Sequence, residues 1–152
     1  MQDSIYQIIF SQEYTDFPVH PIHYAFVKLP ALWKIQPDYK GGYWILDGED
    51  KKGQIFVNSQ NVEYVDYIKW FLENGQLLYL DEYREYGYPY KRRIYLNGSV
   101  AYSVYFDMYG QKIYEVNESN GVVTWFKHGR VSKIYPSLNE FEKDLRSKYG
   151  YL

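Results

Sequence analysis

Six side chains in the C-terminal half of the sequence could hold an extended, hydroxyl-rich ligand: Arg93, Tyr95, Tyr102, Phe106, Glu115 and Phe126. Arg93, Tyr102 and Glu115 would supply a cation, a phenol and a carboxylate in one row if they lie on neighbouring strands about 5 Å apart. The flanking aromatic rings would stack on whatever that row hydrogen-bonds. This is recognition chemistry, and nothing else in the sequence adds bond-making chemistry to it. Asp81, Glu82 and Glu85 lie close together, but in alternating strand positions or at a strand end they read as surface charges. General acid-base work needs a burial cue that the pattern lacks. Asp47, Glu49 and Asp50 could suggest a metal triad, yet the lysines and glycines of Asp47-Gly-Glu-Asp-Lys-Lys-Gly53 mark a solvated hairpin tip. His20 and His23 have no third ligand nearby for a metal. His128 falls in a predicted turn. There is no nucleophile elbow, no phosphate-cradling glycine loop and no paired histidine motif. No catalytic residue, metal or cofactor is therefore expected.

The binding row depends on the elements that carry it. From Lys91 to Trp125 the chain reads as antiparallel strands, rich in β-branched and aromatic residues and punctuated by Asn97-Gly98, Asp107-Met-Tyr-Gly110 and Asn120-Gly121. The two Asn-Gly pairs suit type I′ hairpin turns, whose two central residues both need positive φ. If both form such turns and Asp107 to Gly110 is a four-residue loop, the register follows. Leu96 faces Ser99, Arg93 faces Tyr102, Val104 faces Ile113, and Asn117 faces Thr124. One face then carries Arg93, Tyr95, Val100, Tyr102, Val104, Phe106, Ile113, Glu115 and Phe126. The other carries Tyr90, Ile94, Leu96, Ala101, Tyr105, Tyr114 and Val116. Both are too apolar to face water, so each needs a cover: the N-terminal segment, a partner, or more of a larger protein.

Upstream, Ser4 to Phe10 reads as a strand, and Pro18, Pro21, Pro30 and Pro37 break the chain into loop and short extended pieces. Short strands are expected at 42–48 and 53–58. From Val62 to Glu73 two periods compete. Glu63, Asp66, Lys69 and Glu73 recur at helical spacing, but the tyrosine, valine and tryptophan content and the Asn74-Gly75 turn into Gln76 to Tyr83 favour a strand. Glycines at 75, 87, 98, 110, 121 and 129 recur 8 to 12 residues apart, as in a strand-and-turn array. At the end, Ser137-Leu-Asn-Glu140 is a capping box, and Leu138, Phe141, Leu145 and Tyr149 form the apolar stripe of a helix over 138–149. The expected fold class is mainly β: an antiparallel meander sheet with a short C-terminal α-helix. Residues 1–152 are expected to form a single β-sheet domain, with an irregular part with short strands over 1–58, a meander over 62–136 and the helix at the end.

With 152 residues, a net charge of −2 and no cysteine, the chain offers no basic footprint for nucleic acid or an anionic membrane, no disulfide framework and no thiolate zinc site. It also lacks a long apolar run, so a soluble, cytoplasmic protein is the expectation. The 20 tyrosines, 8 phenylalanines and 4 tryptophans favour a pleated sheet, and tyrosine also suits a face that binds sugars, peptides or protein.

The run from Asn61 to Asn120 carries a strand-turn rhythm: Val62, Val65 and Tyr67; Gly75-Gln-Leu-Leu-Tyr79, Asp81, Tyr83, Tyr86-Gly and Pro89-Tyr; then Tyr105-Phe, Gly110 and Lys112-Ile-Tyr114. It resembles the extended β-sheet module of bacterial accessory-Sec adhesin glycosyltransferases, most of all that of the non-catalytic, substrate-binding partner subunit. It is also similar to the sheet module of a wall-teichoic-acid glycosyltransferase. The resemblance implies an insertion in a two-lobed transferase that holds an unfolded Ser/Thr-rich acceptor and mediates subunit association. This chain has no room for either lobe, and it is expected to be an excised module or a free-standing relative. The expected function is a non-catalytic binding module for a polypeptide or glycan acceptor, or for a glycosyltransferase subunit. The alternative is a structural domain that self-associates without ligand.

Overall fold

The computed structural model describes residues 2–14 and 18–150, with side chains from Ser4. These residues form helix α1 (Gln2–Glu13), a 3-10 turn at Tyr24–Phe26, ten strands and helix α2 (Leu138–Lys148). The strands are β1 (Lys34–Pro37), β2 (Tyr43–Asp47), β3 (Asp50–Val57), β4 (Val65–Phe71), β5 (Leu77–Glu82), β6 (Lys91–Leu96), β7 (Ser99–Phe106), β8 (Lys112–Asn117), β9 (Val123–Lys127) and β10 (Arg130–Tyr135). They make one sheet in strict sequence order, and every pairing is antiparallel. The predicted meander is correct and longer than expected, reaching back to Lys34. Val65–Phe71 is a strand, as read.

Alternation along each strand gives the sheet two faces. One, here the front, carries the row Tyr43, Ile55, Ile68, Asp81, Arg92, Val104, Glu115, Thr124 and Ile134, each opposite the next. The neighbouring row, Trp44, Gln54, Lys69, Leu80, Arg93, Ser103, Val116, Val123 and Tyr135, points to the back. Each face is covered over only half its length. On the front, Ile45, Ile55 and Ile68 are fully buried beneath Ile22, Tyr24, Val27 and Leu29 of the proline-broken segment. On the back, Tyr105, Tyr114, Val116, Val123 and Trp125 pack under both helices.

Helix α1 replaces the strand predicted from Ser4 to Phe10. Strand-favouring residue types misled the composition, but the exposed Ser4, Gln7 and Ser11 recur at three- and four-residue spacing while Ile5, Tyr6 and Ile9 are buried. Tyr6 anchors the helix: its hydroxyl donates to the Phe106 carbonyl at 2.7 Å and lies 2.6 Å from the Tyr88 hydroxyl. Helix α2 starts at the predicted cap, where the Ser137 hydroxyl accepts from the Glu140 amide at 3.2 Å. It buries Phe141 and Leu145, and Phe141 meets Tyr114, Trp125 and Tyr135 at ring separations of 5.0, 5.3 and 5.0 Å.

The turns decide the register. Asn97 and Gly98 both have positive φ, 52° and 81°, and Leu96 faces Ser99 as expected. A bulge then slips the ladder, so Ile94, not Arg93, faces Tyr102, while Arg93 faces Ser103. The β7–β8 loop spans residues 107–111, because Asp107 Oδ1 accepts from the amides of Tyr109 and Gln111. A second bulge follows, and Val104 faces Glu115 instead of Ile113. At Asn120-Gly121 only Gly121 has positive φ. Its amide donates to Asn117 O at 2.7 Å, Asn117 pairs with Val122, and Thr124 faces Glu115, not Asn117. A wider loop replaces the expected two-residue turn.

Candidate functional site

These slips divide the six candidate residues between two faces. Tyr102, Glu115 and Phe126 share the front, as does Phe106 by alternation from Val104. Arg93 lies on the back, opposite Leu80 and Ser103, and Tyr95 follows it there. The row Arg93–Tyr102–Glu115 does not form; the row actually built is Arg92–Val104–Glu115. The expected sorting of side chains holds along β7 from Tyr102 to Phe106 and along β9, inverts along β6, and fails at Val100, which the bulge pairs with Tyr95 on the back. Arg93 Nε lies 3.4 Å from Glu82 Oε2. Glu115 lies 3.9 Å from Lys112 Nζ, and that ammonium sits 5.5 Å from the Phe126 ring.

On the front of the C-terminal half Val104 is buried, but no helix or loop segment covers the ends of its strands among the described residues. Leu96, Tyr102 and Ile134 are 66, 41 and 62 % exposed, and Val131 at the free edge is 57 % exposed. Ile94, Phe106 and Phe126 fill the gaps between them, half-buried. The polar Asn117, Glu115 and Thr124 lie between Tyr102 and Ile134, so the surface is an apolar patch at β6–β7 and another at the β10 edge, and exposed apolar patches of this kind suit contact with a partner.

Along the front row toward the covered half, a groove of about 590 Å³ opens between the sheet and the 18–28 and 86–89 segments. Trp70, Tyr79, Asp81 and Arg92 form its floor. Asp81 is 3 % exposed, which corrects its reading as a surface charge. Its carboxylate accepts from Arg92 Nε at 2.7 Å and Nη2 at 2.9 Å, and from the Trp70 indole N–H at 3.2 Å. The guanidinium stacks on the Tyr79 ring, 3.8 Å from its centre. Burial works against the Arg92 charge, but the Asp81 bonds prevail and hold its pKa above the ordinary value. Glu82 is likewise buried, beside Arg84 at 2.7 Å, Lys91 at 3.6 Å and Arg93 at 3.4 Å, whereas Glu85 is exposed. Sequence reading missed both pairs, because the irregular 83–90 connection hid that β5 and β6 are neighbours in register. The signal available was the match of acidic Asp81-Glu82 with basic Lys91-Arg92-Arg93. Among the described residues no group of histidines and carboxylates could hold a metal, and no helix is long and apolar enough to cross a membrane.

The family described as the GtfB middle domain matches residues 33–136, which begin just before β1 and end just after β10. The chain belongs to the GtfB middle-domain family. The resemblance read from Asn61 to Asn120 is thus correct, and the match extends beyond it at both ends. The chain is 28 % identical over 124 residues to the UDP-N-acetylglucosamine–peptide N-acetylglucosaminyltransferase stabilizing protein GtfB of Limosilactobacillus reuteri, an alignment covering 81 % of the chain. It is 29 % identical over 107 residues to the protein of the same name from Streptococcus agalactiae, covering 68 % of the chain. It spans only 27 and 24 % of those relatives' lengths. Among solved structures, it matches a GtfA/B complex bound to UDP and GlcNAc with a TM-score of 0.77 at 19 % identity, over 87 % of this chain and 30 % of that one. It matches the complex of accessory secretory proteins 1, 2 and 3 of Streptococcus pneumoniae with a TM-score of 0.78 at 11 % identity, over 95 and 29 %. These likenesses are of fold: the long meander recurs in both.

Proposed function

We propose that this GtfB middle domain is a non-catalytic docking module through which a stabilizing protein seats a glycosyltransferase subunit. The observation that carries the reading is the set of exposed apolar side chains on the front of β6–β10, Leu96 and Tyr102 at the β6–β7 end and Ile134 on the edge strand. The two relatives are named as stabilizing proteins of a peptide N-acetylglucosaminyltransferase, and a stabilizing role is one of association. Burying three large apolar side chains against a partner supplies the drive that a half-covered sheet lacks alone. A cytoplasmic location belongs to the same proposal.

A second reading, in which the module holds a Ser/Thr-rich polypeptide acceptor or its glycan, is favoured by the aromatic groove that opens beside that surface, where Tyr79, Ile94 and Tyr102 form one cross-strand row. Hydrogen exchange in the presence of the catalytic subunit, and separately of a Ser/Thr-rich peptide, tests both. Protection over 94–102 and 130–135 by the subunit supports docking. Protection over 79–92 by the peptide supports the acceptor reading. Protection on concentration of the chain alone overturns both in favour of self-association.

A further inference from the structure

The open half of the back face has a different chemistry from the front. The back residues of β1–β6 include Lys34 and Leu46, paired across β1 and β2, and Lys51 beyond Leu46 on β3; one row further lie Lys69 and Arg93. Two carboxylates lie among them: Glu82, buried beside Arg84, Lys91 and Arg93, and the half-buried Asp66 at the β3–β4 bulge, which interacts with the same Arg84. Lys34, Lys51 and Lys69 form no ion pair among the described residues. The part of the half-face that carries Lys34, Lys51 and Lys69 is therefore cationic although the chain carries a net charge of −2, because Asp66 and Glu82 gather around Arg84, Asp81 faces the front, and other acids lie at the Asp47–Asp50 tip.

Two of the cations, Lys51 and Lys69, are held in place by rings. Lys51 Nζ sits 4.1 Å from the Trp44 ring centre, and Lys69 Nζ sits 5.1 Å from that of Phe56, which itself stacks on Tyr67 at 4.5 Å with an 11° interplanar angle. Cation–ring contact fixes an ammonium without neutralising it, so each keeps its charge for another molecule. It also occupies ring faces that a nucleic-acid base would need for stacking, which disfavours single-stranded nucleic acid as the occupant. Lys34 and Lys51 are two strands apart, as are Lys69 and Arg93, so each pair is about 10 Å apart. Residues three apart in an extended peptide have that same spacing.

We propose that the back of β1–β6 is a second docking surface, for an acidic polypeptide segment held by Lys34, Lys51, Lys69 and Arg93. It is independent of the front-face reading, since the two surfaces share no residue. Fluorescence anisotropy of a labelled peptide of repeating Glu-Ser-Ser, whose glutamates are three residues apart, tests it, on the full chain and on the triple variant Lys34→Gln/Lys51→Gln/Lys69→Gln. Three weak exposed pairs together amount to about tenfold in affinity. The parent should bind, more weakly as salt rises, and the triple variant should bind about tenfold less tightly with an unchanged circular-dichroism spectrum. Because a glutamine variant could fail by unfolding, the triple lysine-to-arginine variant is measured beside it and should retain binding. The proposal is overturned if the parent does not bind, if the glutamine variant binds equally well, if the arginine variant fails to bind while folded, or if an oligothymidylate of equal charge binds more tightly than the peptide.

Discussion

Asp81 and Arg92 face each other across β5 and β6 and are joined by two hydrogen bonds, of 2.7 and 2.9 Å, with the Trp70 indole on the same carboxylate. This pair sits where the sheet's covered front gives way to its open front, and it ties the two halves by more than backbone bonds. Removing only the acid leaves Arg92 and Trp70 with unmet donors. Asp81→Ala should cost about 3 kcal/mol, the lower end for breaking a buried pair, because the Arg92 side chain is 35 % exposed. The double change Asp81→Leu/Arg92→Met should cost less than Asp81→Ala alone. Urea unfolding of the three proteins checks the order.

The slipped register can be tested covalently, in a chain that has no cysteine of its own. Ile94 and Tyr102 are direct partners, whereas Arg93 points to the other face. Ile94→Cys/Tyr102→Cys should oxidise to a disulfide, and Arg93→Cys/Tyr102→Cys should keep free thiols, since Cβ vectors on opposite faces cannot be bridged. Thiol titration after mild oxidation separates the two outcomes.

The parts of the fold that were legible in the sequence are those with local causes. Asn97-Gly98 takes the conformation its residue types demand, and Ser137 caps the helix its spacing announces. The slips came from residues whose position depends on distant partners. The bulges in β6–β7 and β7–β8 leave no mark of their own, yet each moves pairings by a residue and so moved Arg93 off its expected face. Helix α1 was missed because Ile5, Tyr6 and Ile9 are strand-formers by type and are held helical by burial on Tyr90 and Tyr105. The proposed docking surface was half legible: its aromatic content is evident, but Leu96 and Ile134 were not singled out as exposed, because exposure depends on what fails to cover them.

Phe141 is fully buried under three rings, so Phe141→Ala should cost about 3 kcal/mol or more. Ser137→Ala loses only the cap, about 1 kcal/mol. Equal losses in chemical denaturation would mean that α2 is not docked on Tyr114 and Trp125 as described.

Alkaline pH should loosen the α1 side of the sheet. Burial, reinforced by the Tyr88 bond, pushes the Tyr6 hydroxyl far above the ordinary tyrosine range, and burial pushes Tyr14 and Tyr88 up to about 12. A phenol with a raised folded-state pKa contributes stability that is fully present below the unfolded value of about 10 and lost as pH rises above it. The melting temperature should therefore fall between pH 10 and 12. Tyr6→Phe should be less stable at neutral pH, having lost its bond to Phe106, and its stability should fall less steeply over that alkaline range.

On the proposed function, the open front of β6–β10 docks a glycosyltransferase subunit. Its most direct test is calorimetric titration of the catalytic subunit encoded by the same genome into the parent chain, into Leu96→Ser/Ile134→Ser, and into Val62→Ser, which alters an exposed loop residue off the sheet. The account predicts binding by the parent and by Val62→Ser, and at least about a tenfold loss for the double variant, two anchors of roughly 1 kcal/mol each, with melting temperatures within a few degrees of one another. Equal affinity for the double variant, or no binding by the folded parent, would contradict it.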